Sequence, residues 1–235
     1  MFTINPRLEG IFPHRDFSTV SMASLLDDDV LFESERKLVK NCVAQRRREF
    51  ATGRHCARLA MSRLIVERHP ILKDPSGAPL WPEGMVGSIS HTRGLVVAVV
   101  AERCKMRAVG VDVEYRKRPF PVDVLEYICV PEERSWLKSL PSEAMELSAF
   151  ILFSAKESFY KACYGLSGFS PDFKEVRIEI DIGKGIFNVF LSKPITVSQS
   201  FPTTGWFGYS QDHVFTAVWS HNTMTMDQTL TSQYP

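Results

Sequence analysis

The run Leu95-Val96-Val97-Ala98-Val99-Val100 lacks any polar alternation. A β-branched strand with no polar face is expected to be buried on both sides, so the chain must build layers around it. A second run, Val214-Phe215-Thr216-Ala217-Val218-Trp219, looks similar. Between residues 34 and 68 there is no Pro and one Gly, and Ala57, Ala60, Met61, Leu64 and Ile65 recur at helical spacing, which predicts one long helix or two in series. Ser34 is the expected N-cap and Pro70 the stop. Residues 73–82 are rich in Pro and Gly and read as a surface loop. Short β-branched segments at 86–90, 95–101 and 109–114 then predict antiparallel strands.

After short helices between 122 and 140, broken at Pro131 and Pro141, a second strong helix is expected over 147–164 and closed by Gly165. Strands follow at 176–182, 186–191, 205–209 and 214–219. The order is helix, strands, helix, strands, the pattern of an α+β pair of similar halves, although the repeat is faint. This gives an N-terminal lobe over 1–105, a C-terminal lobe over 106–220 and a loose polar tail over 221–235.

A chain of 235 residues can bury a substantial core as one domain or two. Its 44% hydrophobic and 23% charged residues sit near globular averages and suggest neither disorder nor a membrane protein. A net charge of +1 argues against a broad nucleic-acid or anionic-membrane footprint, so any anion site must be local. Cys42, Cys56, Cys104, Cys129 and Cys163 are widely spaced without a Cys-x-x-Cys pair, as expected of reduced structural thiols. No leader pattern precedes the first helix, and the expected location is cytoplasmic.

Asp112 and Glu114 lie two apart on a presumed strand, so both carboxylates share a face while Val113 points into the core. Such a pair suits Mg²⁺, which takes oxygen ligands from few carboxylates plus substrate phosphates. Alone, the pair reads better as two acidic residues on the solvated face of a strand. Glu157 and Lys161 share a helix face at i, i+4, with Lys156 offset, and alone they read as a surface ion pair. Arg47 and Arg54 are close to two helical turns apart and project with Phe50 from one face, where guanidinium groups suit phosphate.

The combination is more specific. Gly110-Val111-Asp112-Val113-Glu114, followed by Phe153-Ser154-Ala155-Lys156-Glu157-Ser158-Phe159-Tyr160-Lys161, resembles the paired signature of the 4′-phosphopantetheinyl transferases. Upstream, residues 46–54 (Arg-Arg-Arg-Glu-Phe-Ala-Thr-Gly-Arg), 77–82 (Gly-Ala-Pro-Leu-Trp-Pro) and 87–92 (Gly-Ser-Ile-Ser-His-Thr) come in the order typical of the larger, monomeric, two-lobed members. Those members serve siderophore, secondary-metabolite and broader carrier activation, including fatty-acid synthesis. The resemblance implies the family's fold, a pseudo-dimer of two α/β lobes with antiparallel sheets and one long helix each.

It also implies transfer of phosphopantetheine from coenzyme A to a serine of an apo acyl or peptidyl carrier protein, with release of 3′,5′-ADP. By resemblance Asp112, Glu114 and Glu157 are the Mg²⁺ ligands, and Lys161 and His91 meet the pyrophosphate with Ser90 beside them. Arg54 is matched to the 3′-phosphate, with Arg47 assisting, and Glu157 is the candidate base. The sequence departs from the family at Ala78, where many members carry a long basic or polar side chain near the nucleotide. The loop from Pro119 to Pro131 is a candidate carrier-docking region. Two other classes use the same residues: a Mg²⁺-dependent nucleotide phosphodiesterase or hydrolase, and a non-catalytic nucleic-acid-binding module built on Arg46 to Arg48.

Overall fold

The computed structural model describes Phe12 and residues 16–192 and 201–222. In chain order they form β1 (Ser18–Met22), α1 (Glu33–Val39), α2 (Ala44–Ser62), β2 (Met85–Thr92), β3 (Leu95–Glu102) and β4 (Met106–Tyr115). Then come α3 (Leu125–Ile128), α4 (Pro131–Ser139), α5 (Ser142–Ser167), β5 (Val176–Asp181), β6 (Ile186–Leu191), β7 (Thr204–Tyr209) and β8 (His213–His221). The strands make two antiparallel sheets, a three-stranded one in the order β1-β3-β2 and a five-stranded one in the order β4-β8-β7-β6-β5.

The apolar run in β3 explains the layering. Val96 to Ala101 are each 0% exposed, so both faces of the strand are covered. Val96, Ala98 and Val100 pack with Ala57, Ala60 and Met61 of α2. Val97, Val99 and Ala101 pack with Val109, Val111 and Val113 of β4 and Phe215, Ala217 and Trp219 of β8. The far face of the five-stranded sheet is covered by Ala155, Phe159 and Ala162 of α5. The order of layers is α2, small sheet, large sheet, α5. Each buried Val adds roughly 1.5–3 kcal/mol of hydrophobic stabilisation before conformational entropy is subtracted.

The two halves share a construction that the faint sequence repeat does not reveal. In the first, the buried Glu35 carboxylate caps its own helix by accepting from Phe32 N–H at 3.0 Å and accepts from Ile71 N–H at 2.8 Å. It also receives Arg58 of the long helix α2 at 2.7 and 2.9 Å, while Arg58 donates to Val30 O at 2.8 Å. In the second half, Glu133 accepts from Val130 N–H at 2.9 Å and Ile178 N–H at 2.7 Å. It receives Lys156 of the long helix α5 at 2.8 Å, and Lys156 donates to Ile128 O at 2.6 Å. In each half a glutamate on a short helix is locked to a buried cation on the long one.

Several boundaries differ from the sequence reading. The first helical stretch is two helices, and the N-cap is Phe32 rather than Ser34, because Glu35 supplies the capping carboxylate. Helix α2 stops at Ser62, and the chain leaves it through Ile65 at φ 61°. Helix α5 begins directly after Pro141 and runs through Gly165 to Ser167. It is closed by Gly168 at φ 69°, whose N–H bonds Tyr164 O at 2.8 Å. Strand β1 has no counterpart in the sequence reading. Strand β8 continues to His221, opposite Met106, and the remainder of the expected tail, 223–235, lies outside the described residues.

Candidate active site

The edge strands β2 and β4, from different sheets, are joined by a ladder of hydroxyls. Ser88, Ser90 and Thr92 alternate along β2, so all three face β4, where they accept from the backbone N–H groups of Val111 at 3.1 Å, Val113 at 3.4 Å and Tyr115 at 3.2 Å. Helix α5 crosses the opposite side of β4 at close range. A Cβ on Gly110 would lie 1.9 Å from Ser158 O, so only glycine permits this approach. The close crossing brings the two motifs together.

Asp112 is 3% exposed and sits at the junction. Lys161 Nζ of α5 donates to its Oδ1 at 2.7 Å, to Ser90 Oγ at 3.1 Å and to Val111 O at 3.2 Å. Ser90 Oγ–H donates to the same Oδ1 at 2.9 Å, and Ser154 Oγ–H donates to Oδ2 at 2.8 Å. Ser154 Oγ also lies 2.9 Å from Thr216 Oγ1, which donates to Ser154 O at 2.7 Å. Val113 turns away into the core between the sheets, as the alternation predicts.

Glu114 and Glu157 lie within the field of Asp112. Burial, followed by the Asp112 charge, pushes the Glu114 carboxyl up to about 7. The Glu157 carboxyl is raised by burial and by Asp112, with Lys161 opposing. Three mutually repelling carboxylates with hard oxygen donors are the chemistry that a small divalent cation takes. Among the described residues no three His, Cys, Asp or Glu groups are already gathered as a ligand set. The cation against Asp112 here is the Lys161 ammonium.

His91, at the end of β2, contacts α2. Its Nδ1 is 3.4 Å from Glu49 Oε2, and its Nε2 meets the Arg46 guanidinium. Burial lowers its pKa, with Glu49 opposing, so the imidazole is held neutral beside a permanent cation.

The other two arginines singled out from the sequence are occupied elsewhere. Arg54 is 4% exposed and donates to Ile71 O at 2.7 Å and Leu72 O at 3.2 Å, with its guanidinium over the Phe50 ring. Burial lowers its pKa to about 10. These bonds tie it to the backbone leading into the 73–82 loop. Arg47 donates to Cys42 O at 3.0 Å and pairs with Asp28 at 3.5 Å. Glu49, Ser154 and Thr216 are site residues to which the sequence reading gave no role, and Arg46 entered it only as part of the Arg46 to Arg48 basic face. The signal for Thr216 was present, since it is a lone hydroxyl in an apolar run, directly opposite Asp112 in the β4–β8 register.

Beside Lys161 a cleft of about 650 Å³ opens between the 74–81 loop, β2 and α5. Its walls include Asp74, Ala78, Trp81, Ser88, Lys161 and Tyr164. Trp81 lies flat over Gly87, where a Cβ would come within 2.6 Å of its ring.

Residues 34–101 match the 4′-phosphopantetheinyl transferase N-terminal domain, and residues 108–218 match the 4′-phosphopantetheinyl transferase superfamily domain. The chain is 40% identical over 171 residues to the 4′-phosphopantetheinyl transferase Svp of Streptomyces mobaraensis, covering 72% of this chain and 69% of that protein. This chain belongs to the 4′-phosphopantetheinyl transferase superfamily. Two further members, Npt of Nocardia iowensis and PptT of Mycobacterium tuberculosis, are 40% and 37% identical. Each match covers 76% of this chain, and 78% and 79% of the respective relatives. The fold fits that membership as two similar α/β lobes with antiparallel sheets and one long helix each. Among the described residues no helix is long and apolar enough to cross a membrane.

Proposed function

We propose that this protein transfers the 4′-phosphopantetheine group of coenzyme A to a serine of an apo acyl or peptidyl carrier protein, releasing 3′,5′-ADP. The observation that carries this reading is the contact of Lys161 with Asp112 and Ser90 at the wall of the cleft, within the field of Glu114 and Glu157. Family membership supports the same reaction.

Asp112, Glu114 and Glu157 are the residues that would hold Mg²⁺. Bound there, the ion would neutralise charge on the pyrophosphate of coenzyme A. The carrier serine oxygen attacks the phosphorus that bears pantetheine, and the bond from that phosphorus to the 3′,5′-ADP oxygen breaks. The serine proton passes to the Glu157 carboxylate, whose basicity burial and the Asp112 charge raise above that of a free carboxylate. Lys161 Nζ stabilises charge on the phosphates, and the Arg46 guanidinium beside His91 supplies further N–H donors for the remaining phosphate oxygens. The transferring group is already anionic, so this charge stabilisation supplies most of the rate.

The enzyme acts as a monomer in the cytoplasm, with 1–105 and 106–220 as its lobes, and serves carriers of fatty-acid, polyketide or peptide assembly. The test is the intact mass of several apo carriers after incubation with the protein, coenzyme A and Mg²⁺. Added phosphopantetheine that disappears with EDTA supports the reading, and a full panel of unmodified carriers rejects it.

A further inference from the structure

The 74–80 loop is organised by Asp74. Its N–H bonds Ala78 O at 3.0 Å, its carbonyl accepts from Gly77 N–H at 3.0 Å, and its Oδ1 accepts from Ala78 N–H at 2.9 Å. Gly77 adopts φ 89°, which allows the chain to turn back within this short span, and Lys73 bridges Pro79 beyond it. The loop is therefore folded on itself with one carboxylate oxygen to spare. That oxygen, Oδ2, crosses the cleft and accepts from the Tyr164 hydroxyl of α5 at 2.5 Å.

Tyr164 stands one helical turn beyond Lys161, and both line the cleft. Ala78, at the far end of the loop, has no side chain long enough to reach across. The loop belongs to the half built on α2, while Tyr164 belongs to the half built on α5. A hydrogen bond from a phenol to an ionised carboxylate is charge-assisted. The Asp74 carboxyl is held below its ordinary pKa, most of all by this phenol, so it stays ionised and accepting at neutral pH.

We propose that Asp74 and Tyr164 form a latch across the cleft that keeps the 74–80 loop in register with Lys161, making both of them positioning residues for the coenzyme A donor. The proposal rests on the transferase reading above for the identity of the ligand. A cleft whose far wall is fixed in advance loses less freedom when the ligand binds, and that gain appears in donor affinity rather than in the chemical step.

The clean perturbation is Tyr164→Phe, which removes one hydroxyl and leaves the ring. Calorimetric Kd for coenzyme A, measured with EDTA and no carrier, is expected to weaken about tenfold. KM for coenzyme A should rise in parallel, kcat should stay within about twofold, and the melting midpoint should move by less than about 2 °C. Asp74→Asn should weaken Kd comparably, because one amide oxygen cannot serve both Ala78 N–H and the phenol as the carboxylate does. The double variant should be no weaker than Asp74→Asn alone, since both changes break the same bond.

Wild-type Kd in Tyr164→Phe, or effects of the two changes that simply add, overturns the latch even if transfer proceeds normally. A wild-type protein that binds coenzyme A but modifies no carrier rejects the transferase reading instead, and the Kd comparison still judges the latch.

Discussion

Replacing Lys156 by Met should cost the protein a large share of its stability without disturbing its chemistry. Lys156 stands next to Glu157 in the motif, yet its ammonium is 0% exposed and points away from the cleft. Its three N–H groups are shared among four acceptors, Glu133 at 2.8 Å and the carbonyls of Ile128, Phe173 and Val176 at 2.6, 2.9 and 2.7 Å. These acceptors tie α3, α4 and the approach to β5 onto α5. Met fills the volume but leaves the Glu133 carboxylate, 1% exposed, without its counter-charge.

Breaking a buried pair by removing one partner costs about 3–5 kcal/mol. The N–H groups of Val130 and Ile178 still bond Glu133, which argues for the lower part of that range. Against a total of about 5–15 kcal/mol, the loss is a large fraction. With a urea slope of about 3 kcal/mol/M, the midpoint should fall by about 1 M. Adding Glu133→Gln to Lys156→Met should recover part of the loss, because the unpaired charge disappears while an acceptor for the N–H groups remains. The assay is equilibrium urea unfolding followed by tryptophan fluorescence, with transfer kinetics measured where each variant is folded. An unchanged midpoint for Lys156→Met, or a collapse of kcat in folded protein, would refute the argument.

Gly110→Ala should destabilise by about 3 kcal/mol or more and slow transfer, since the new Cβ meets the Ser158 carbonyl and pushes Glu157 and Lys161 away from Asp112; wild-type unfolding and activity would contradict the packing described. Arg54→Met should lower the unfolding midpoint while the preference for coenzyme A over its 3′-dephospho form survives, because Arg54 is bound to backbone carbonyls. Loss of that preference in competition binding would return Arg54 to the phosphate. For Glu114, whose folded pKa is raised from 4.5 to about 7, the folded state holds more protons than the unfolded state between those values. Its contribution is full below the unfolded pKa and is lost as pH rises through about 7. The metal-free protein should therefore show a smaller fall in melting midpoint over that window once Glu114 is Gln, and identical pH profiles would show that Glu114 carries no such shift.

What could be read from the sequence was what local periodicity controls. The unbroken apolar run in β3 announced two covered faces, and the two-residue spacing of Asp112 and Glu114 announced one shared face with Val113 in the core. The pairing of the Asp112 and Lys161 motifs came from resemblance, and the close β4–α5 crossing at Gly110 is its physical basis. Contacts that join distant segments were not readable. Nothing in the sequence announces that Arg54 bonds two backbone carbonyls beyond its own helix. Lys156, offset from the Glu157–Lys161 face, gives no sign in the sequence of the buried Glu133 it meets. Strand β1, Ser-Thr-Val-Ser-Met, is too polar to register, and forms because β3 offers it a pairing edge.

The most direct test is a single incubation of the protein with coenzyme A, Mg²⁺ and an apo carrier, in which 3′,5′-ADP and modified carrier are both quantified over time. The account predicts that the two appear in equal amounts with wild-type protein and that neither appears above background with Glu157→Gln. Release of 3′,5′-ADP without carrier modification, or full activity in Glu157→Gln, would contradict it.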